Sequence, residues 1–182
     1  MGLFGEPLKV PEYRLAGDEL ATFVTSKGTI LVRLDGEGAP VHVANFCELA
    51  ISGFYDNCKF HRYVPGFVIQ GGDPITRDMS SADVAAGRMG PNGRPGTGGP
   101  GYRIKAEFMS NPRNSHNDGA LAMARSADPD SAGSQFYFCL GAQHGLDSGY
   151  TVFGQTIEGR DVIEALRSGD VIESVTIGHA GA

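Results

Sequence analysis

From residue 20 onward the chain alternates short apolar runs of period two with clusters of turn-forming residues. Only twice does the period lengthen to that of a helix. Ala21–Thr25 and Thr29–Leu34 flank a Ser26-Lys27-Gly28 turn and read as a hairpin, with Ile30, Val32 and Leu34 on one face. Further β-like runs recur at 58–64, 67–71, 101–106, 119–124, 134–140, 150–157 and 171–177, most of them separated by Gly, Pro or Asp-rich turns. Pro40 to Ser52 reads as a helix: Pro40 suits a first turn, Val43, Phe46, Cys47 and Ala50 form one stripe, and Gly53 stops it. A second helix falls at about 159–168, with Val162, Ile163, Ala165 and Leu166 inward and Gly169 as its C′ residue. Residues 1–19, with two prolines and no clean period, form an irregular arm. Many short strands with two helices predict an all-β, antiparallel sandwich or barrel, and pattern alone does not choose between them.

One segment breaks the alternation. Residues 75–95 form a long connection with little apolar content, in which Ser81 to Ala86 can make one helical turn capped by Ser80 or Ser81. Connections this long are usually functional or mobile.

Composition narrows the class. A chain of 182 residues supports one substantial core, and 27 glycines imply many turns and close backbone approaches. The net charge of −6, with no basic run, lacks the footprint of a nucleic-acid binder. No stretch approaches the ~20 apolar residues of a membrane span. Met1 to Pro7 shows neither a basic nor an apolar signal region. Cys47, Cys58 and Cys139 are spaced as neither a disulfide framework nor a zinc site. A cytoplasmic chain with reduced thiols is therefore expected, although a mature secreted form would look the same; a monomer is the default because no apolar stripe is left over.

The densest chemistry lies in Phe60-His61-Arg62-Tyr63-Val64-Pro65-Gly66-Phe67-Val68-Ile69-Gln70-Gly71-Gly72-Asp73. A period of two puts Phe60, Arg62 and Val64 on one face of the first strand, and after the turn Val68 and Gln70 alternate with Phe67 and Ile69. A cation and an amide thus sit beside apolar side chains on a sheet surface. Taken alone, Arg62 also fits a strand arginine snorkelling to solvent, and Gln70 an edge residue.

This run resembles the signature of the cyclophilins, a family of prolyl isomerases. Gly119-Ala120-Leu121-Ala122-Met123-Ala124-Arg125 through Ser134-Gln135-Phe136-Tyr137-Phe138 resembles the family's second block, and Leu146-Asp147 with Val152-Phe153-Gly154 its third. Gly96-Thr97-Gly98-Gly99 resembles its glycine loop. The resemblance runs over roughly 20–178. It implies a closed eight-stranded antiparallel barrel capped by two α-helices, with a groove on its outer surface. The domain then spans 20–182, with 75–95 as an insertion before the glycine loop, placed where it could gate the groove or simply be a solvated loop.

Carried over by position, the resemblance makes Arg62 the catalytic arginine and Gln70 the glutamine that bonds substrate and orients that arginine. Phe67 becomes the aromatic floor of the proline pocket, Val68 stands where methionine is common, and Leu146 is the pocket leucine. Ala124 and Arg125 match the backbone segment that pairs with the peptide, followed by Ser126 where a small residue is usual. Gln135 lies on the groove and Gly96 at the lip of the neighbouring subsite. Tyr137 replaces the usual phenylalanine and Tyr150 a frequent histidine. Gly145 stands where many members have tryptophan, which implies an open rim and weak cyclosporin binding.

The expected substrates are proline-containing peptides and unfolded proteins, with no cofactor. Five histidines show neither an i,i+4 pair nor a His-Glu-x-x-His run, so a metal site has no support. His61 falls on the strand face opposite Arg62 and suits packing. Ser134 lacks the second glycine of a nucleophile elbow, and no Lys-Ser/Thr follows the glycine loop. The rival reading is a binding module of the same fold that holds peptide without turnover; the presence of Arg62 favours the enzyme.

Overall fold

The predicted hairpin forms as β1 (Glu19–Thr25) and β2 (Gly28–Leu34), with Phe23 opposite Ile30 and Ala21 opposite Val32. These four side chains are buried, as the alternation requires. The computed structural model describes residues 5–181; residues 1–4 of the expected arm, and Ala182, lie outside the described residues. The remaining strands are β3 (Arg62–Val64), β4 (Val68–Gly71), β5 (Ala120–Met123), β6 (Phe136–Cys139), β7 (Val152–Glu158) and β8 (Ile172–His179). They make one antiparallel sheet in the order β3-β4-β6-β5-β7-β2-β1-β8.

The expectation of a closed barrel needs correction. β3 and β8, at the two ends of that order, do not pair as strands. What joins the ends is the chain leading into them: an isolated Lys59–Val171 bridge, with Phe60 N–H donating to Asp170 at 2.9 Å and Ile172 N–H to Cys58 at 2.8 Å. The strand ladder stays open because β3 is only three residues long and begins beyond this contact.

Three α-helices are present where two were expected. α1 (Pro40–Ile51) buries the predicted stripe of Val43, Phe46, Cys47 and Ala50. α2 (Ser81–Ala85) is the single turn within 75–95, capped by the Ser80 hydroxyl accepting from Asp83 N–H. α3 (Arg160–Ala165) buries Ile163 and leaves Ala165 exposed, against expectation; Leu166 is buried just past its end. Gly169 has φ +97° but lies beyond the helix cap at Leu166, so it is not the C′ residue.

The run 101–106 is not a strand. It makes only the isolated bridges Leu8–Arg103 and Ile104–Ala132, the first tying the N-terminal arm to the body. Pro100 and Gly101 bend the chain there, and Ile104 is buried as a single anchor.

The main core is aromatic. Phe23, Phe46, Tyr55, Phe60, Phe136, Phe138 and Phe153 are all fully buried and pack mostly edge-on or tilted, for example Phe23 to Phe138 at 5.2 Å between centroids. Strands β4 to β7 also bury their other face. Ile69, Leu121, Met123, Phe136, Phe138 and Phe153 point into the core, while Val68, Ala120, Ala122, Tyr137, Cys139 and Val152 form a separate apolar cluster on the opposite side. That second cluster is the bed of the site. Gly72 turns the chain out of β4 at φ +89°, and a Cβ there would lie 2.6 Å from the Ser134 carbonyl, so no other residue fits without a shift.

Candidate active site

Strand register lines up one row of residues across the sheet. Arg62 stands opposite Gln70, Gln70 opposite Tyr137, Tyr137 opposite Ala122, and Ala122 opposite Val152. A polar start and an apolar remainder on one face follow directly from the alternation in five separate strands.

Beside this row lies a cavity of about 200 Å³. Phe67, Val68, Tyr137, Leu146 and Tyr150 supply its apolar walls, Arg62 and Gln70 its polar side, and Ala124 and Arg125 its lip. A second cavity of about 410 Å³ adjoins it and shares Gln70, Ala124 and Arg125. Gly96, Ser126 and Gln135 line this second space together with Thr97, Gly98 and Gly99 of the glycine loop. The structure therefore gathers all twelve residues singled out in the sequence around two neighbouring depressions. It adds Ser134 of the second block, and Glu6 and Tyr102, which no local motif marked.

Arg62 is exposed, and among the described residues its guanidinium has no hydrogen-bond or ion-pair partner. Gln70 does not hold it. The Gln70 amide instead donates to Gln135 Oε1 at 3.0 Å, and Gln135 Nε2 donates to the Gly98 carbonyl at 2.8 Å. This fixes the Gln70 amide plane and leaves its carbonyl oxygen without a partner among the described residues. The expected arginine-orienting bond is replaced by a bridge to the glycine loop.

Arg125 does more than offer backbone. Its Nε donates to the Gly149 carbonyl at 2.8 Å and its Nη1 to Ser126 at 2.9 Å, while the guanidinium lies 4.6 Å from the centre of the Tyr150 ring. It braces the segment that carries Leu146 and Tyr150. Ala124 N–H donates to the Gln135 carbonyl at 2.9 Å; beyond it the Arg125 amide has no partner among the described residues and remains open to a ligand backbone.

Asp73 anchors the glycine loop. Fully buried, its carboxylate accepts from the N–H groups of Ile75 at 2.8 Å, of Gly96, and of Gly98 at 3.2 Å. Asp73→Ala leaves these donors stranded and is expected to cost about 2–3 kcal/mol in urea unfolding, with a raised KM from the loosened loop. A loss below about 0.5 kcal/mol would show that the loop stands without it.

The segment 75–95 lines neither cavity, although Ile75 packs beside Gly98 and the Arg94 carbonyl accepts from the Thr97 hydroxyl at 2.7 Å, both in the glycine loop of the larger one. Lys59 Nζ and Asn57 Nδ2 both donate to the Arg77 carbonyl at 3.0 Å, and Arg77 lies over the Phe54 ring at 4.4 Å. α2 sits against Gly169, near the Lys59–Val171 bridge. Its contacts brace that end of the sheet at one side and touch the glycine loop at the other.

Burial sets the remaining electrostatics. It pushes the Cys139 thiol up to about 12, an inert packing group beneath the slot. His61 has both ring nitrogens buried without partners, and burial pushes its pKa down, so it packs as a neutral ring.

An apolar slot, an unpaired cation and a carboxamide at its edge, and an unpaired backbone N–H at its lip offer the groups that an extended peptide with one compact apolar ring would need. The family described as cyclophilin type peptidyl-prolyl cis-trans isomerase/CLD matches over residues 20–181. A peptidyl-prolyl cis-trans isomerase of Helicobacter pylori is 41% identical over 93% of this chain and 95% of its own. Peptidyl-prolyl cis-trans isomerase B of Bacillus subtilis is 43% identical over 78% and 85%. A crystal structure of a Cryptosporidium parvum cyclophilin, obtained in the presence of the dipeptide Ala-Pro, superposes with a TM-score of 0.72 at 26% identity, covering 87% of this chain and 98% of that one. The chain belongs to this family: it is a cyclophilin-type peptidyl-prolyl cis-trans isomerase.

Proposed function

We propose that the chain binds proline-containing peptides and unfolded proteins with the pyrrolidine ring in the 200 Å³ slot, and that Arg62 drives rotation of the preceding bond. The observation that carries this is the register that sets Arg62 opposite Gln70 and Gln70 opposite Tyr137, all three lining the slot, with the Arg62 cation unpaired among the described residues. The Ala-Pro neighbour supports the choice of ring.

The X–Pro bond resists rotation by roughly 18–20 kcal/mol because of its partial double-bond character. Twisting it localises the lone pair on the prolyl nitrogen, so a donor aimed there binds the twisted amide better than either planar form. Arg62 remains charged and offers several fixed N–H donors. Gln70, with its amide held by Gln135, presents its carbonyl oxygen to a substrate N–H or to Arg62. Phe67, Val68, Leu146 and Tyr137 hold the ring while the N-terminal side turns, and they keep out water that would screen the cation. Ala124 and Arg125 offer main-chain pairing, and the larger cavity at Gly96, Ser126 and Gln135 takes a neighbouring residue. No bond breaks, so neither nucleophile nor cofactor is called on. The domain works as a monomer in this reading.

Exchange NMR on an X–Pro peptide tests it: cross-peaks between cis and trans forms are expected with catalytic amounts of protein. Peptide binding without exchange would favour the holding module instead. Cyclosporin should bind weakly, since Gly145 leaves open space at the rim. Gly145→Trp is expected to tighten that affinity at least about tenfold by calorimetry, roughly 1.4 kcal/mol. An unchanged affinity would detach the rim from inhibitor binding.

A further inference from the structure

Behind the slot lies a chain of hydrogen bonds that the mechanism above does not use. His116 is fully buried; its Nε2 is 2.8 Å from the Tyr137 hydroxyl and its Nδ1 2.8 Å from Asp147 Oδ1. The same carboxylate accepts the His116 backbone N–H at 2.6 Å and faces His144 Nδ1 at 3.0 Å. The His116 and Tyr137 rings lie nearly parallel, 13° apart. An ionised carboxylate only accepts, so Nδ1 carries the hydrogen; Nε2 of the neutral ring is then bare, and the tyrosine hydroxyl donates to it. That hydroxyl is all that separates Tyr137 from phenylalanine, and its partner is His116.

We propose that His116 and Asp147 are positioning residues for Tyr137, holding its ring as a fixed wall of the proline slot and coupling the grip on substrate to the protonation state of His116. The inference deepens the isomerase reading and rests on it.

The sign follows from the donors. Burial pushes the His116 pKa below its ordinary 6.5, against the opposing pull of Asp147, while a protonated His144 pushes it further down. The other groups around the chain are Tyr137 and Cys139 on β6, and Tyr150 and Arg125 on the far side of the Tyr137 ring. At neutral pH the ring is uncharged and accepts. As pH falls and His116 protonates, Nε2 donates to the Tyr137 oxygen, so the bond reverses and the hydroxyl hydrogen, turned away, is left without its buried partner. The ring must shift to satisfy it, and substrate affinity drops.

The test is the KM and kcat of exchange on a peptide without titratable side chains, followed from about pH 8 to 5, for wild type and three variants. Wild-type KM is expected to rise about three- to tenfold towards low pH while kcat moves less, the size of one unsatisfied hydroxyl donor. Tyr137→Phe keeps the wall without the tether; its KM is expected about threefold higher at neutral pH and flat with pH. His116→Gln puts an amide oxygen near the Nε2 position and cannot titrate, so its profile should also be flat, with KM closer to wild type than that of His116→Leu. A Tyr137→Phe or His116→Gln profile as steep as wild type, or a flat wild type, overturns the inference. Should His116→Leu fail to fold, the other two variants decide. An inactive wild type would instead sink the isomerase reading, and peptide Kd in the same series would then judge the tether.

Discussion

Arg62→Ala is expected to lower kcat/KM for X–Pro exchange by about 10²–10³-fold while peptide KM stays within a few-fold of wild type. The split follows from where the guanidinium sits. It is exposed at the edge of the slot and makes no hydrogen bond or ion pair among the described residues, so its removal leaves the walls of the slot in place. Its work is done only when the amide twists and the nitrogen lone pair becomes an acceptor, an interaction absent from both planar ground states. Arg62→Lys should recover part of the rate, because the charge returns without the planar fork. Exchange NMR at matched peptide saturation measures both. An Arg62→Ala enzyme as fast as wild type, with binding intact, would remove the guanidinium from the mechanism and leave strain or desolvation in the slot to explain turnover.

Phe136→Ala carries the largest expected loss of stability, about 3–5 kcal/mol. Its fully buried ring meets those of Phe23 at 5.5 Å, Tyr55 at 5.4 Å, Phe138 at 5.9 Å, Phe46 at 6.0 Å and Phe60 at 6.3 Å. Removing it opens a cavity between rings from β1, α1 and the chain before β3, and these cannot collapse together without moving the sheet. The site should suffer too, since the residues on either side of it are Gln135 and Tyr137, which face the groove. Urea unfolding with a shared m-value gives the stability loss, and exchange rates on the fraction still folded give the effect on the site. A loss below about 1 kcal/mol would mean that the aromatic core repacks freely and that its ring contacts contribute little.

Much of the site was legible in the sequence because its parts are local. The Pro65-Gly66 turn forces residues 60–64 and 67–71 together, and period two then puts Arg62 and Gln70 on one face. β6 reads in the same way: Phe136 and Phe138 go to the core, Tyr137 and Cys139 to the slot. The helix at Pro40 and the Ser80 cap of α2 rest on contacts between residues within a few positions of each other. The misreadings were of another kind. The run 101–106 has strand-like alternation yet finds only single bridges, because its neighbours are the arm at Leu8 and the turn at Ala132. Ala165 fits the helical period, but α3 ends there and leaves it exposed.

His116 shows the limit most plainly. In the sequence it is one histidine among five, beside Asp118 in a turn; in the fold its partners are Asp147 and Tyr137, 31 and 21 positions away. Gln70 binding Gln135 rather than Arg62, Glu6 at the rim of the larger cavity, and the open ladder between β3 and β8 belong with it. By itself the sequence determined which residues face together along each strand and which types of chemistry they bring, since alternation and turn geometry act over a few bonds. Which strands lie side by side, and which polar groups then meet, was decided only by the tertiary structure, because backbone pairing is blind to residue identity and distant side chains find each other only once the sheet has formed.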